Sequence, residues 1–323
     1  MDARFCVGYS GKFDDLRKII AASPKVTSVY TGGLTGRIAG GRPSYMDTFD
    51  ELARQVGYAH ENGVEVELAL NAPGNVPDGT DKAWWDNLTR YLTDLEQTGV
   101  DSLIVSHPLI MGQIKSKTRL KLSVSTICEI KTARSALYYE KMGGDVIIPS
   151  MNANLDMESL RLMKKSLSRA KLRIMVNERC LGDCPWRTAH FSQNSERGSN
   201  QTYSYDQYYL NCHRMFYENP WLLLSNNAIR PEDLTHYEDI TLDFKIVGRL
   251  APVEDTLARI RAYADGNFDG NFVRLLISQF KNIIHIPNKS LDGLIEKKFT
   301  CNKVCDTCQY CKNLFERTGS VHS

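Results

Sequence analysis

Seven of the nine cysteines in this 323-residue chain fall into two late segments, and those thiols are where chemistry is expected first. The denser segment is Cys301-Asn-Lys-Val-Cys305-Asp-Thr-Cys308-Gln-Tyr-Cys311, four thiols separated by three, two and two residues. Thiols this close cannot easily pair with one another without strain. Cys305, Cys308 and Cys311 have the CxxCxxC rhythm of an iron–sulfur site, whose fourth ligand is often remote. Zinc is the alternative for this tail, but zinc favours two CxxC knuckles parted by a longer loop. The other segment runs Asn177-Glu-Arg-Cys180-Leu-Gly-Asp-Cys184-Pro, and Cys212 follows after an insertion. The glycine-containing loop lets Cys180 and Cys184 face one metal, and a Cys-Pro step also recurs in ferredoxin motifs. Cys212 returns as the third ligand. Two four-ligand clusters need eight thiols, so one cluster or two, 4Fe–4S in type, remains open on seven, as does the completing ligand.

Near these thiols stand residues that move protons or hold anions. Glu178 and His190 are candidates for acid–base work. They read equally as groups supporting a metal site or as ordinary loop residues. Arg187 and Arg249 are placed to grip an anionic substrate through bidentate contacts, or to serve in ion pairs. The sequence contains no HExxH, GxSxG or P-loop, so no standard hydrolytic metal set, nucleophile or nucleotide cradle is written in it.

The elements that must position these groups alternate between short β-rich runs and helical patterns. Strands are expected at Arg4–Gly8, Val26–Tyr30, Val64–Asn71, Ser102–Ser106, Lys121–Ser125, Val146–Pro149, Leu172–Asn177 and Thr241–Val247. Helices are expected near 12–22, 47–62, 81–98, 108–117, 131–142, 156–168 and 254–264, with Asp47 and Asp156 as N-caps. Gly63, Gly99 and Gly143 stand where helices end in a left-handed residue. Runs such as Leu103-Ile104-Val105 are apolar throughout, as in a parallel sheet covered on both faces. Eight such units predict an α/β fold, a (β/α)8 TIM-like barrel over 1–265. A long excursion, 177–240, follows the seventh strand and so emerges on the catalytic face. Within it, Asn194–Gln201 reads as a polar surface loop or lid. Residues 266–323 form a second region, with a helix at Phe272–Ile283 and the four-cysteine tail.

Composition excludes some partners. Forty Lys and Arg against 38 Asp and Glu give no charge signal for nucleic acid. No apolar run approaches the ~20 residues that span a bilayer. With no signal-peptide pattern at the start, the expected compartment is the cytoplasm, where thiols stay reduced and clustered cysteines serve metals.

Several segments together resemble the collagenase-like peptidase family, unassigned peptidase family 32. Ala228-Ile-Arg-Pro-Glu-Asp-Leu, Tyr237-Glu-Asp and Phe244-Lys-Ile-Val-Gly-Arg249 are similar to its "PEDL…KIEGR" segment. Val29-Tyr-Thr-Gly32, Tyr58-Ala-His-Glu-Asn-Gly63, Leu70-Asn71 and Ser123-Val-Ser-Thr126 follow the family order as well. The similarity covers roughly 1–265. It implies a barrel whose relatives include proposed peptidases and iron–sulfur proteins of oxygen-independent hydroxylation, and it implies a cysteine loop where Cys180 and Cys184 stand. The chain departs from the pattern at Val247, in place of the glutamate of KIEGR, and at Pro149-Ser-Met, in place of an Arg-Glu pair. Its thiol spacing is narrower, and the tail is not general to the family.

The expected function is an iron–sulfur barrel enzyme performing a redox modification, such as oxygen-independent hydroxylation of an RNA base, small aromatic or peptide. An electron donor or partner protein would accompany it. The alternatives are a metal-assisted peptidase using Glu178 or His190, and a non-catalytic iron–sulfur partner protein.

Overall fold

The computed structural model describes residues 1–34, 45–74, 76–77, 79–197, 206–276 and 278–322. Strands β1 (Arg4–Gly8), β2 (Val26–Gly32), β3 (Glu65–Leu70), β4 (Ser102–Val105), β5 (Lys121–Val124) and β6 (Val146–Ile147) alternate with helices. The helices are α1 (Phe13–Ala22), α2 (Phe49–Glu61), α3 (Lys82–Gln97), α4 (Pro108–Lys117), α5 (Ala133–Lys141) and α6 (Met157–Ser166). Strands β7 (Lys171–Leu172) and β8 (Ile174–Met175) are halves of one barrel strand, parted only at Arg173. The excursion follows with α7 (Arg187–Arg197) and α8 (Gln207–Glu218), and then β9 (Asp243–Ile246) and α9 (Val253–Asp265) complete the barrel.

Every pairing in this sheet is parallel. β7 pairs with β6, β8 pairs with β9, and β9 pairs with β1, so the split strand closes the ring. At the join the Arg173 amide donates to the Ile147 carbonyl at 3.0 Å. The architecture is a TIM-like barrel, as the alternating pattern predicts.

Spacing explains the outer layer. In α2 the buried Leu52, Gln55, Val56 and Ala59 fall on one stripe, and in α3 Leu88, Tyr91, Leu92 and Leu95 do the same. Each such Leu or Val contributes about 1.5–3 kcal/mol by leaving water. Leu92→Ala would cost about 2–5 kcal/mol through the cavity it leaves. The Asp156 carboxylate accepts from the Ser159 amide, as expected of an N-cap. Gly63, Gly99 and Gly143 have φ of 71°, 82° and 98°. The cap of α2, however, is Thr48 and not Asp47: the Thr48 hydroxyl accepts from the Glu51 amide, one residue later than the sequence suggested.

Two apolar cores organise the chain. The first lies between barrel and helices. The second joins the excursion to the C-terminal region, with Leu181, Phe216 and Leu224 packed among Phe272, Leu314 and Phe315. Ala262 and Phe272 belong to this same cluster, so packing continues across residue 265. That region contains α10 (Val273–Leu276), β10 (Ile284–His285), α11 (Leu294–Phe299), α12 (Cys305–Cys308), α13 (Tyr310–Thr318) and β11 (Ser320–Val321). A continuous helix over Phe272–Ile283 is not formed. The Asn271 side chain takes the amides of Val273 and Ile286 and donates to the Lys281 and Ile284 carbonyls, holding the segment as a compact loop around one turn of helix. Residues 194–197 extend α7 and are no loop, and Asn194 and Ser195 are buried. The remainder of Asn194–Gln201 lies outside the described residues. No described helix is long and apolar enough to cross a membrane.

Candidate functional site

The barrel interior is polar where most such barrels pack branched aliphatics. On alternate positions of β3, β9 and the split strand, Glu67, Asp243 and Arg173 point inward. Arg173 donates through Nη1 to Glu67 and through Nε to Asp243 at 2.7 Å. Ser123 donates to Glu67 at 3.2 Å. Burial by itself would raise the Glu67 carboxyl, yet the Arg173 and Lys245 charges hold it below its ordinary value. The network is the ionic floor of the site.

Above it lies a cavity of ≈ 590 Å³ at the C-terminal ends of the strands. The face is the one on which barrel enzymes build their active sites. Lys245 from β9 reaches its wall, with Nζ 3.7 Å from the centroid of the Tyr30 ring of β2. That contact favours the charged amine by about 0.5–2 kcal/mol. Burial opposes it more strongly, and the Lys245 amine is held below its ordinary value despite Cys6 and Glu67 nearby. Gly8 makes the arrangement possible, since a Cβ there would sit 2.8 Å from the Tyr30 hydroxyl.

The strand ends are fixed by side chains. Asn177 accepts from the Val247 amide at 2.7 Å and donates to the Val247 and Leu275 carbonyls, clamping the ends of β8 and β9 together. Asn71 donates to Ser125 at 3.3 Å. Gly248, at φ 118°, carries the chain out of β9, and a Cβ there would lie 2.9 Å from Arg259 Nη1. Arg179, Lys245, Arg249, Arg259 and Lys281 line the cavity against two acids, Glu178 and Asp255. The wall therefore favours an anionic guest.

The sequence candidates divide over this geometry. Glu178 and Arg249 line the cavity. Arg187 is buried off its wall, its Nε 2.7 Å from Glu129 and its Nη1 3.7 Å from Glu178. Burial would lower the Arg187 guanidinium, but Cys180, Glu178 and Glu129 around it raise it. His190 meets the buried Asp206 at 2.9 Å and stacks on Tyr208, pinning α7 to α8. These four do not converge on one point. Lys245, Tyr30, Arg179 and Arg259 were missed. The available signal was a lysine between Phe244 and Ile246 in a strand buried on both sides.

Next to this cavity stand the excursion thiols. Cys180 directly follows Arg179, and Cys212 Sγ donates to the carbonyl of Tyr209, another wall residue, at 3.2 Å. Burial pushes the Cys212 thiol up to about 11, with Arg179 opposing and Cys184 adding to the rise. In the tail Cys305 and Cys308 are exposed while Cys301 and Cys311 are half-buried. Burial raises Cys311 to about 11; Lys298 opposes, while Cys305, Cys301 and Cys308 add to the rise. Cys311 thus has the other three tail thiols in its neighbourhood. Lys298 itself, buried beneath them, is lowered to about 8 by burial.

The backbone marks the same loops. Among the described residues, four non-glycine residues have positive φ, and three of them lie between successive cysteines of the two segments. These are Asp183 (50°), Lys303 (62°) and Gln309 (51°). Each such residue costs about 1–3 kcal/mol and concentrates where a site demands it. Asp183 and Lys303 also form an ion pair at 2.6 Å, which brings the Cys180–Cys184 loop beside the Cys301–Cys305 loop. The Lys303 amide donates to Cys301 Sγ at 3.3 Å. Among the described residues no three His, Cys, Asp or Glu side chains are already drawn together tightly enough to enclose a metal ion. The residues that would hold a metal here are the thiols of these loops, which stand in two neighbouring segments.

Known proteins give a consistent placement. The family model described as Peptidase family U32 matches residues 12–266. An uncharacterized protease of Methanocaldococcus jannaschii, MJ1657, is 30% identical over 336 residues, which covers 98% of this chain and 99% of that protein. The 23S rRNA 5-hydroxycytidine C2501 synthase of Escherichia coli is 32% identical over 130 residues, 40% of this chain and 18% of that enzyme. Among solved structures, that of the U32 peptidase Mk0906 matches with a TM-score of 0.52 at 17% identity, over 64% of this chain and 84% of the other. It supports the barrel fold.

Proposed function

The chain belongs to peptidase family U32, and from that premise we propose an iron–sulfur barrel enzyme that performs a redox modification in the cavity at the barrel mouth. The reaction class is oxygen-independent hydroxylation, and the substrate is an RNA base, a small aromatic or a peptide. The observation that supports the reading is the left-handed residue inside each of three cysteine loops, two of which are tied together by the Asp183–Lys303 ion pair. The partial match to the hydroxycytidine synthase supports the hydroxylation branch.

In this reading Cys180, Cys184 and Cys212 would hold a 4Fe–4S cluster. Cys301, Cys305, Cys308 and Cys311 would hold a second cluster, with zinc as the alternative metal for the tail. A bound cluster supplies single-electron transfer and Lewis acidity. The protein's own groups supply the rest. Arg179, Arg249 and Arg259 orient an anionic substrate, and Glu178 is placed on the wall to exchange a proton with a substrate hydroxyl. Phe191, Ile127 and Leu276 on the same wall exclude water. Nine cysteines without a disulfide suit a reducing cytoplasm, where an electron donor or partner protein would be available.

The test is anaerobic purification followed by iron, acid-labile sulfide and zinc analysis, with hydroxylation and peptide-cleavage assays run side by side. Iron and sulfide bound to both thiol sets, with turnover lost in air, supports the reading. Peptide cleavage that survives air and the Cys180→Ser substitution would establish the peptidase alternative. Bound clusters without turnover would point to a non-catalytic iron–sulfur partner.

A further inference from the structure

We propose that Lys245 is a nucleophilic amine, and that the barrel cavity takes up a carboxylate-bearing aldehyde or ketone, of the 2-oxo acid class, as an iminium on its Nζ. The inference goes beyond the cluster reading and does not rest on it.

Four observations carry it. Lys245 is 5% exposed, yet it is part of the cavity wall, so its amine is hidden from bulk water while open to a guest. Among the described residues no carboxylate stands within ion-pair distance of Nζ. The two acids beneath it, Glu67 and Asp243, are both engaged by Arg173. Cys6, Tyr30, Ala69, Ile104 and Ile148 form a separate apolar ring at this level of the barrel, with Val247 packed against it. An amine in apolar surroundings, close to another cation, is the setting in which lysine becomes a nucleophile at neutral pH. The charged and titratable groups that face it are Tyr30, Cys6, Glu67, Arg173 and Asp243, and burial is the largest influence, favouring the neutral amine.

The guest follows from the wall. Arg179, Arg249 and Arg259 suit a carboxylate, and the amine requires a carbonyl carbon. The Nζ lone pair adds to that carbon while the C=O π pair moves to oxygen. Two protons, one released by the nitrogen and one taken from solvent, then carry the oxygen away as water. A C=N bond remains and no net oxidation occurs.

The test uses the full-length protein with its metal content intact, incubated near neutral pH with glyoxylate and sodium cyanoborohydride. Hydride delivered to an iminium carbon fixes it as carboxymethyl-lysine, which peptide mass spectrometry locates. Lys245 should be modified several-fold faster than exposed lysines such as Lys82, because its amine is held away from water beside the guest. Glyoxylate should also outpace uncharged propanal at Lys245. Val247→Glu, placing a carboxylate on the same wall, should slow the reaction while glyoxylate still labels surface lysines. Labelling of Lys245 no faster than that of Lys82 overturns the proposal whatever the variant does. Equal rates with glyoxylate and propanal overturn its carboxylate half.

Discussion

Replacing Arg173 with methionine should cost the fold about 3–5 kcal/mol, because it strips two buried carboxylates of their cation. Arg173 and Glu67 have side chains 6% and 2% exposed, and Asp243 is 14% exposed. At an effective dielectric of about 20, a unit pair near 2.7 Å attracts by about 6 kcal/mol. Removing each ion from water costs several kcal/mol, so the intact network nets little. Its loss on one side is a different matter, since the desolvation of Glu67 remains and its compensation does not. Glu67→Gln in the Arg173→Met background should therefore recover the share of the loss that belongs to Glu67, leaving that of Asp243. Equilibrium urea unfolding of the wild type, both single variants and the double variant measures this directly. A cost under about 1 kcal/mol for Arg173→Met, or a double variant as unstable as the single, would refute the reasoning. The pH dependence gives an independent check. The folded Glu67 pKa lies below its ordinary value of 4.5, so its stabilisation is present above 4.5 and is lost as pH falls through the folded value. Glu67→Gln should flatten that acid limb.

Other outcomes follow from the same geometry. Gly248→Ala, at φ 118° and against Arg259, should destabilise by about 1–3 kcal/mol and distort the cavity, read as a lowered Tm and weakened anion binding. In the cluster reading both Asp183→Gly and Asp183→Val lose the Lys303 ion pair, but only valine also opposes the left-handed turn, so Asp183→Val should lower iron per chain further than Asp183→Gly. Cys180→Ser with Cys184→Ser should remove only part of the iron, and Cys305→Ser with Cys308→Ser a separate part. Loss of all metal in either pair would argue for a single shared site. Burial raises Cys6 to about 11 and Cys128 to about 12, so stability should be intact below their ordinary 9.0 and decline as pH climbs toward those values. Cys6→Ala should lessen that alkaline loss in thermal melts.

Local rules made the barrel legible. Apolar runs of four to six residues, caps such as Asp156 and left-handed glycines at 63, 99 and 143 each depend on neighbours in sequence. The cysteine segments were legible for the same reason, since close spacing is itself the signal. Cap choice between Asp47 and Thr48, and the collapse of Phe272–Ile283 around Asn271, depended on which side chain reached which amide. Only tertiary structure decided the site. Barrel closure sets Lys245 of β9 against Tyr30 of β2, and it lets Arg173 occupy both interior carboxylates. It also sets Arg187 against Glu129 and His190 against Asp206. The Asp183–Lys303 pair, joining loops more than a hundred residues apart, is of the same kind. Sequence specifies which groups exist and what local conformation they favour. Which charges face one another, and how far water is kept from them, is fixed only when the ring closes, because burial and Coulomb energy depend on distance in space.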